Sequence, residues 1–493
     1  MKMHFARNIF HSSFFVSRLI LPLLLLSAAV NADDDFDLPE MPKAAPKPVE
    51  TPKEEPATSA TTSAASAATR VAPAASATTR VAPAASAEDE APLNFAPIEA
   101  TTVSNSAGTG NAATNNTSAT DTVIHKQKIP ANLNRPVRVG IYVDEKELYV
   151  KHGGDEYHIT AAGGKLKVAK GKSRPETVAV KTFTQSGRCT SIAPSKKQLA
   201  YSCYPGEIKI TPKGNALLAV NKVDVEQYLR GVIPYEIGKL DSSRFSALEA
   251  QAVAARTYAY KHFGSREAAG FDIYADTKDQ VYKGLTSATS LTDSAVRGTA
   301  GIVMMYNGEF IIAYYHSTCG GETETLATWG RDDLPYLQSK PDLRPDGTPW
   351  CSESSYSQWE RKFSEKETVA LFKQNAKEVK SKITNFSEVR SISILDTLKS
   401  GRILTLEVDT DKGVFQVTGD KVRWLFKKNG TILPSSFFRI GYDEGGWVIR
   451  GKGFGHGVGM CQMGVRARAA AGQDFATILT HYYPGIILEK FVR

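Results

Sequence analysis

From Val137 the chain alternates apolar and polar positions, Val137-Arg138-Val139-Gly140-Ile141-Tyr142-Val143, and this period of two predicts a strand. Similar runs follow at Glu147–Val150, Tyr157–Ala161, Thr177–Phe183 and Glu207–Thr211, with Gly153-Gly154, Gly163-Gly164 and Pro205-Gly206 between them as turns. The period then changes. Val225, Tyr228, Leu229 and Val232 recur at i, i+3, i+4 and i+7, which predicts a short helix with one apolar face. Asp224 is its expected N-cap, and Gln227 three residues on completes a capping-box-like pattern. Pro234 lacks an N–H and pushes Ile233 out of the helical region, so the helix is expected to stop there. Glu236 then falls just past a helix end, between Tyr235 and Ile237.

A longer helix is expected over Ser246–Tyr260, with Ser246 and Glu249 as a capping box and Leu248, Ala252, Ala255 and Ala259 on one face. Arg256 lies beside that face, so it needs a carboxylate, a carbonyl or a ligand as partner. Gly301–Tyr306 and Glu309–His316 read as a hairpin turned at Asn307-Gly308, with His316 at its end and a polar turn, Ser317 to Glu324, after it. Residues 334–351 are Pro-rich and irregular. Glu365–Val379 reads as a helix, Ser391–Val417 as strands and Asp420–Lys427 as a short helix. In Gly451–Gly464, glycines alternate around His456, a setting that faces solvent or ligand more readily than core. No Gly-Lys-Ser/Thr ends this stretch, so it is not a phosphate-binding loop. Helices are expected from Gln462 to Ala471, capped by Gly472, and over Phe475–Tyr483.

The first 130 residues differ from this pattern. Lys2, Arg7 and Arg18 precede the apolar run Leu19–Val30, and Val30-Asn31-Ala32 resembles a small-residue cleavage site. The run is short for a transmembrane helix. Residues 1–32 are therefore expected to be a secretory signal cleaved after Ala32, with an uncleaved anchor as the alternative. The region 33–130 is rich in Ala, Pro, Ser and Thr and carries a repeated Arg-Val-Ala-Pro-Ala-Ala-Ser-Ala. It has too little apolar surface to offset chain entropy and is expected to be a disordered tether. The fold class expected is α+β: a β-rich module over 135–220, then a mixed α/β core over 221–493.

Charge divides along the same line. Residues 33–125 hold 13 acidic against 5 basic side chains, whereas 126–493 holds 52 basic against 39 acidic. A basic globular part suits an anionic partner such as a membrane surface, nucleic acid or a cell-wall polymer. No nucleic-acid motif is present, and membrane contact is expected only through the N-terminal segment. Export would place the chain on the outer side of the cytoplasmic membrane, periplasmic or wall-facing, and makes its five cysteines disulfide candidates. The pairs expected are Cys189–Cys203 and Cys319–Cys351, leaving Cys461 odd. His316 and Cys319 are too few for a zinc site.

Four segments, Val223–Glu236, Ala247–Tyr258, His316–Glu324 and Gly453–Gly464, resemble in order those of the stage II sporulation protein D (SpoIID), or amidase-enhancer, family. The resemblance runs from about Val137 to the C-terminus. It implies action on bacterial peptidoglycan as a lytic transglycosylase that cleaves between N-acetylmuramic acid and N-acetylglucosamine, on glycan strands that an amidase has stripped of stem peptides. It implies Glu236 as the catalytic residue. Arg256, Tyr258, His316, Ser317, Gly455 and His456 are implied as substrate-binding candidates. Some sporulation members carry a His-Cys zinc pair just before the Gln-Val-Tyr matched by Gln280-Val281-Tyr282. Here Lys278 and Asp279 stand in its place, so no metal and no cofactor are expected.

Ordinary glycosidases need two carboxylates. A lytic transglycosylase works with one, which first protonates the glycosidic oxygen and then activates the muramic acid 6-hydroxyl. Glu236, among apolar neighbours that raise a carboxyl pKa, fits both roles. The rival reading is a glycan-binding module that enhances a partner amidase without chemistry of its own; a purely structural wall anchor is the third. The family also occurs in bacteria that form no spores, where remodelling at division is the natural role.

Overall fold

The computed structural model describes residues 124–184 and 189–492. The expected signal and most of the expected tether lie outside the described residues. The last part of the segment read as tether, His125–Lys128, is a strand laid parallel to Ile487–Val492. The α+β class holds, with strands dominating up to Val223 and helices mixed in after it.

Two five-stranded sheets form the N-terminal half. One runs in the order Glu176–Val178, Lys165–Lys170, Asp155–Ala162, Glu147–His152, Ser191–Ala193. The other runs Ile273–Tyr274, Val137–Glu145, Ala216–Val223, Glu207–Lys213, Lys181–Thr184. The alternation shows in burial at the start of the strand: Val137 and Val139 are buried, with half-buried Arg138 between them. Ile273–Tyr274 joins this second sheet from beyond residue 220. One hydrophobic core accordingly runs from Ile129 through to Cys351 and resumes at Val458, across the expected module boundary.

The helices are α1 (Val225–Arg230), α2 (Ile233–Glu236), α3 (Phe245–Lys261), α4 (Ser290–Gly298), α5 (Glu365–Asn375), α6 (Val422–Leu425), α7 (Gln462–Ala470) and α8 (Phe475–Tyr482). Helix α3 is the axis of the core. Thirteen of its residues are buried, and its many alanines let α4, α7 and α8 approach closely. Its start differs from the expectation. Asp241 caps a preceding turn of 3₁₀ helix through the Ser243 N–H, so Ser246 lies inside the helix. Among the described residues no helix is long and apolar enough to cross a membrane.

The expected hairpin forms over Ile302–Tyr306 and Glu309–Phe310, with Asn307 and Gly308 both at positive φ. Its second strand ends at Phe310. Tyr315–His316 is a separate strand, parallel to Met460–Cys461. This short ladder binds the polar turn to the glycine-rich segment.

Between Cys351 and Val458 the chain builds a second core. Trp359, Phe363, Phe372, Phe386, Leu406, Phe415, Phe426, Phe438 and Ile449 pack together, apart from the first cluster. Two three-stranded sheets and α5 surround them. The expected strand and helix patterning at 365–427 belongs to this inserted module.

Candidate active site

Glu236 is the last residue of a one-turn helix, not a residue just beyond a helix. Val232 serves as its N-cap and Pro234 occupies its first turn, where a missing N–H costs no bond. The preceding helix α1 stops earlier, at Gly231, where an added Cβ would lie 2.5 Å from the ring of Tyr282. Asp224 caps α1 by accepting from the Glu226 and Gln227 N–H groups, while Gln227 turns outward to accept from Arg230.

The Glu236 carboxylate is gripped from three sides. The Val281 N–H donates to Oε1 at 2.5 Å. Gln462 Nε2, at the start of α7, reaches Oε2 at 3.5 Å. The Tyr315 hydroxyl is the third donor. Behind these stands a buried relay. Gln280 donates to the Tyr315 hydroxyl at 3.1 Å and accepts from the Tyr228 hydroxyl at 2.9 Å. Desolvation outweighs the three donors and pushes the Glu236 carboxyl up to about 7. A group at that value holds and releases a proton near neutral pH. None of its hydrogen-bonding partners is a second carboxylate.

The resemblance grouped seven residues; the structure distributes them. Ser317 and His456 are part-exposed on adjoining segments. His456 accepts the Val458 N–H on Nδ1 and packs on Trp329 with ring centres 4.9 Å apart; desolvation of its ring nitrogens among these neighbours, although one edge of the ring stays open, holds it down to about 4, neutral at ordinary pH. Gly455 has φ near +105°, and a Cβ there would meet the His316 Cβ at 3.0 Å. Three of the seven turn inward. Arg256 is fully buried, paired in a fork to Glu226 at 2.7 and 2.8 Å, with further bonds to the Ile302 and Val296 carbonyls. Of the two roles left open by the sequence, it fills the structural one, clamping α3 to α1. Tyr258 donates to Asp279 at 2.7 Å and stacks on His262. His316 is 4% exposed. Successive strand residues face opposite ways, so Tyr315 points to Glu236 and His316 points to the far side of the same strand.

Gln280, Tyr315 and Gln462 carry no mark in the sequence as site residues. Tyr315 and Gln462 each adjoin a residue singled out there, His316 and Cys461, and Gln280-Val281 follows the pair compared with a zinc motif. That pair cannot serve as zinc donors: Lys278 is exposed and cationic, and Asp279 is consumed by Tyr258, Arg266 and the Tyr274 N–H. The residues present do not fit that metal.

Cys189–Cys203 is a disulfide as expected. Cys319–Cys351 is not: Cys319, Cys351 and Cys461 are all free and buried, with the first two sulfurs 3.5 Å apart. Cys319 donates to Asp342, and Cys461 caps α7 by accepting the Gly464 N–H.

A single carboxylate of raised pKa, held between a backbone N–H, an amide and a phenol where loop segments meet, defines the class of site. Comparison with known proteins places it further. A family model described as stage II sporulation protein matches residues 213–306, which contain Glu236 and its Val281 donor. A second model, described as a domain of unknown function, matches 350–459, which is the inserted core. An uncharacterised protein of Brachyspira hyodysenteriae is 30% identical over 297 residues, covering 59% of this chain and 73% of that one. The amidase enhancer of Bacillus subtilis is 32% identical over 295 residues, 53% of this chain and 40% of its own length. The stage II sporulation protein D of Bacillus amyloliquefaciens is 27% identical over 287 residues, 55% of this chain and 76% of that one. The chain belongs to the stage II sporulation protein D family.

Proposed function

We propose that the protein acts in the bacterial cell wall as a lytic transglycosylase on peptidoglycan strands freed of stem peptides. The observation that carries the reading is the lone carboxylate of Glu236, poised near 7 with no carboxylate partner at hydrogen-bonding distance. Protonated, Glu236 donates to the oxygen linking N-acetylmuramic acid to N-acetylglucosamine as the C1–O4 bond breaks. Ionised, it takes the proton of the muramic acid 6-hydroxyl as O6 closes on C1. The products are a 1,6-anhydro end and a free 4-hydroxyl, and the enzyme regains its proton. Val281, Gln462 and Tyr315 supply hydrogen bonds to the ionised state that exists between the two steps. Part-exposed Ser317 and His456 are the groove residues open to sugar. The acting compartment is the wall side of the cytoplasmic membrane, and the process is remodelling at division or sporulation.

The test is incubation of purified protein with peptide-free glycan strands and mass analysis for anhydro ends. Their release, abolished by Glu236→Gln, supports the reading; release that persists in Glu236→Gln sinks it. The likeness to the amidase enhancer of Bacillus subtilis favours one alternative, a non-catalytic enhancer of an N-acetylmuramoyl-L-alanine amidase. That reading predicts no anhydro ends and faster turnover by the amidase.

A further inference from the structure

On the side of the Tyr315–His316 strand opposite Glu236 lies a group of soft donors that the proposed chemistry does not use. A ring nitrogen of His316 and the sulfurs of Cys319 and Cys461 all lie within 4.8 Å of one another, and all three residues are buried. Cys351 brings a third sulfur 3.5 Å from that of Cys319. His316 Nδ1 sits 3.2 Å from the Val458 carbonyl, which fixes the proton there. That leaves Nε2 as a lone pair, and this atom is buried with no hydrogen-bond partner. An orphaned buried acceptor is costly unless something fills its need.

We propose that His316, Cys319 and Cys461, with Cys351 as fourth ligand, bind a zinc ion. The geometry is close to what zinc requires. Zn–S bonds near 2.3 Å and Zn–N bonds near 2.0 Å in a tetrahedron set ligand atoms about 3.5–3.8 Å apart, so small side-chain rotations complete the shell. Three sulfurs and one imidazole select a thiophilic ion over magnesium or calcium. The second shell is in place. The Val458 carbonyl orients His316, the Gly321 N–H donates to Cys319 Sγ, and the Gly464 and Cys319 N–H groups donate to Cys461 Sγ. Arg402, buried and bonded to the Cys319 carbonyl at 2.6 Å, adds positive charge that favours thiolates. On binding, each cysteine releases its S–H proton to solvent and gives its electron pair to the ion.

The site pins the polar turn after His316 to the start of α7. Those two segments also supply Tyr315 and Gln462 to Glu236, so the ion would be a positioning element and no part of the reaction. It is separate in place from the Lys278–Asp279 position, which lacks donors.

The full-length chain, purified under mild reduction, should contain one zinc per molecule by elemental analysis. Replacement by cobalt(II) should give sulfur-to-cobalt charge-transfer absorption. Cys319→Ser and Cys461→Ser should each weaken zinc binding beyond the loss of about 10- to 100-fold typical of an outer-shell change. A double Cys189→Ser, Cys203→Ser variant should leave the cobalt spectrum unaltered. The wild-type spectrum needs no variant to fold. Absence of the charge-transfer band in the reduced wild-type chain overturns the proposal. So does a metal-free chain isolated with a Cys319–Cys351 disulfide.

Discussion

Gln462 places its side-chain amide 3.5 Å from Glu236 Oε2, although 226 positions separate the two residues. The glycine-rich segment thus ends on the acid's carboxylate, through the residue that opens α7. Replacing Gln462 with Leu removes a donor that favours the ionised form. The pKa of Glu236 should rise, and the alkaline limb of the rate against pH should move upward. A limb that stays in place would show that the contact has no electrostatic role.

Glu236→Gln keeps the shape of the side chain and loses the transferable proton. Anhydro-end release should fall by about 10²–10⁴-fold, the usual range for general acid–base catalysis. Glycan binding, read by co-sedimentation with peptide-free strands, should persist.

The same substitution tests stability. The folded-state pKa of Glu236 is raised to about 7 from an ordinary value of 4.5, so between these two values the native state holds more protons than the unfolded chain. Stability contributed by the protonated form is then full below about 4.5 and lost as pH rises to about 7. The loss is about 3 kcal/mol over the interval between those two values. Glu236→Gln escapes that loss. Its melting temperature should exceed the wild type's at pH 8 and approach it at pH 5, read by thermal denaturation at both pH values.

Arg256→Ala should behave in the opposite way to a site substitution. It leaves the Glu226 carboxylate without its guanidinium and removes a donor from the carbonyls of Val296 and Ile302. A loss of about 3–5 kcal/mol is expected from breaking a buried pair. Chemical denaturation should show a large fall in midpoint, while any folded fraction retains its pH profile. A normal midpoint with weakened glycan binding would return Arg256 to the groove.

Gly457 has φ near +86°, and a Cβ there would lie 2.4 Å from the Arg402 guanidinium carbon. Gly457→Ala should therefore expel Arg402 from the Cys319 and Glu322 carbonyls it now holds. A destabilisation of about 1–3 kcal/mol from strain is expected. Limited proteolysis should show earlier cleavage in residues 453–459, and no change in cleavage would show that the Arg402 contact does not hold this loop.

Much of this was legible along the chain, for identifiable reasons. The alternation from Val137 and the helical spacing from Val225 are local signals, and both elements stand where the periods put them. Glu236 was marked by the resemblance of four segments in order; Pro234 and the nearby apolar residues alone fit an ordinary turn carboxylate as well. The inward turn of His316 could not, because it depends on Tyr315 claiming the other face of a two-residue strand. Tyr258 and Arg256 looked free for ligand until Asp279 and Glu226, distant in sequence, arrived beside them. Three separate thiols read as one disulfide and a remainder, since spacing carries no information on which sulfur meets which. The inserted core was equally hidden, because its strands follow the same period as those around it.

That insertion begins and ends at one place. Trp359 pairs with Gly451 across a ladder, and the Gly453 N–H donates to the Tyr356 carbonyl, so the two crossing points are neighbours. A segment joined this way behaves as a cassette. It is tied to the loop that carries His456 at several points: Trp359 Nε1 donates to the Gly453 carbonyl, the Gly455 N–H donates to the Pro434 carbonyl, and Arg402 lies against Gly457. A change within the cassette is thus felt first at that loop, and only through it at the helix that carries Gln462.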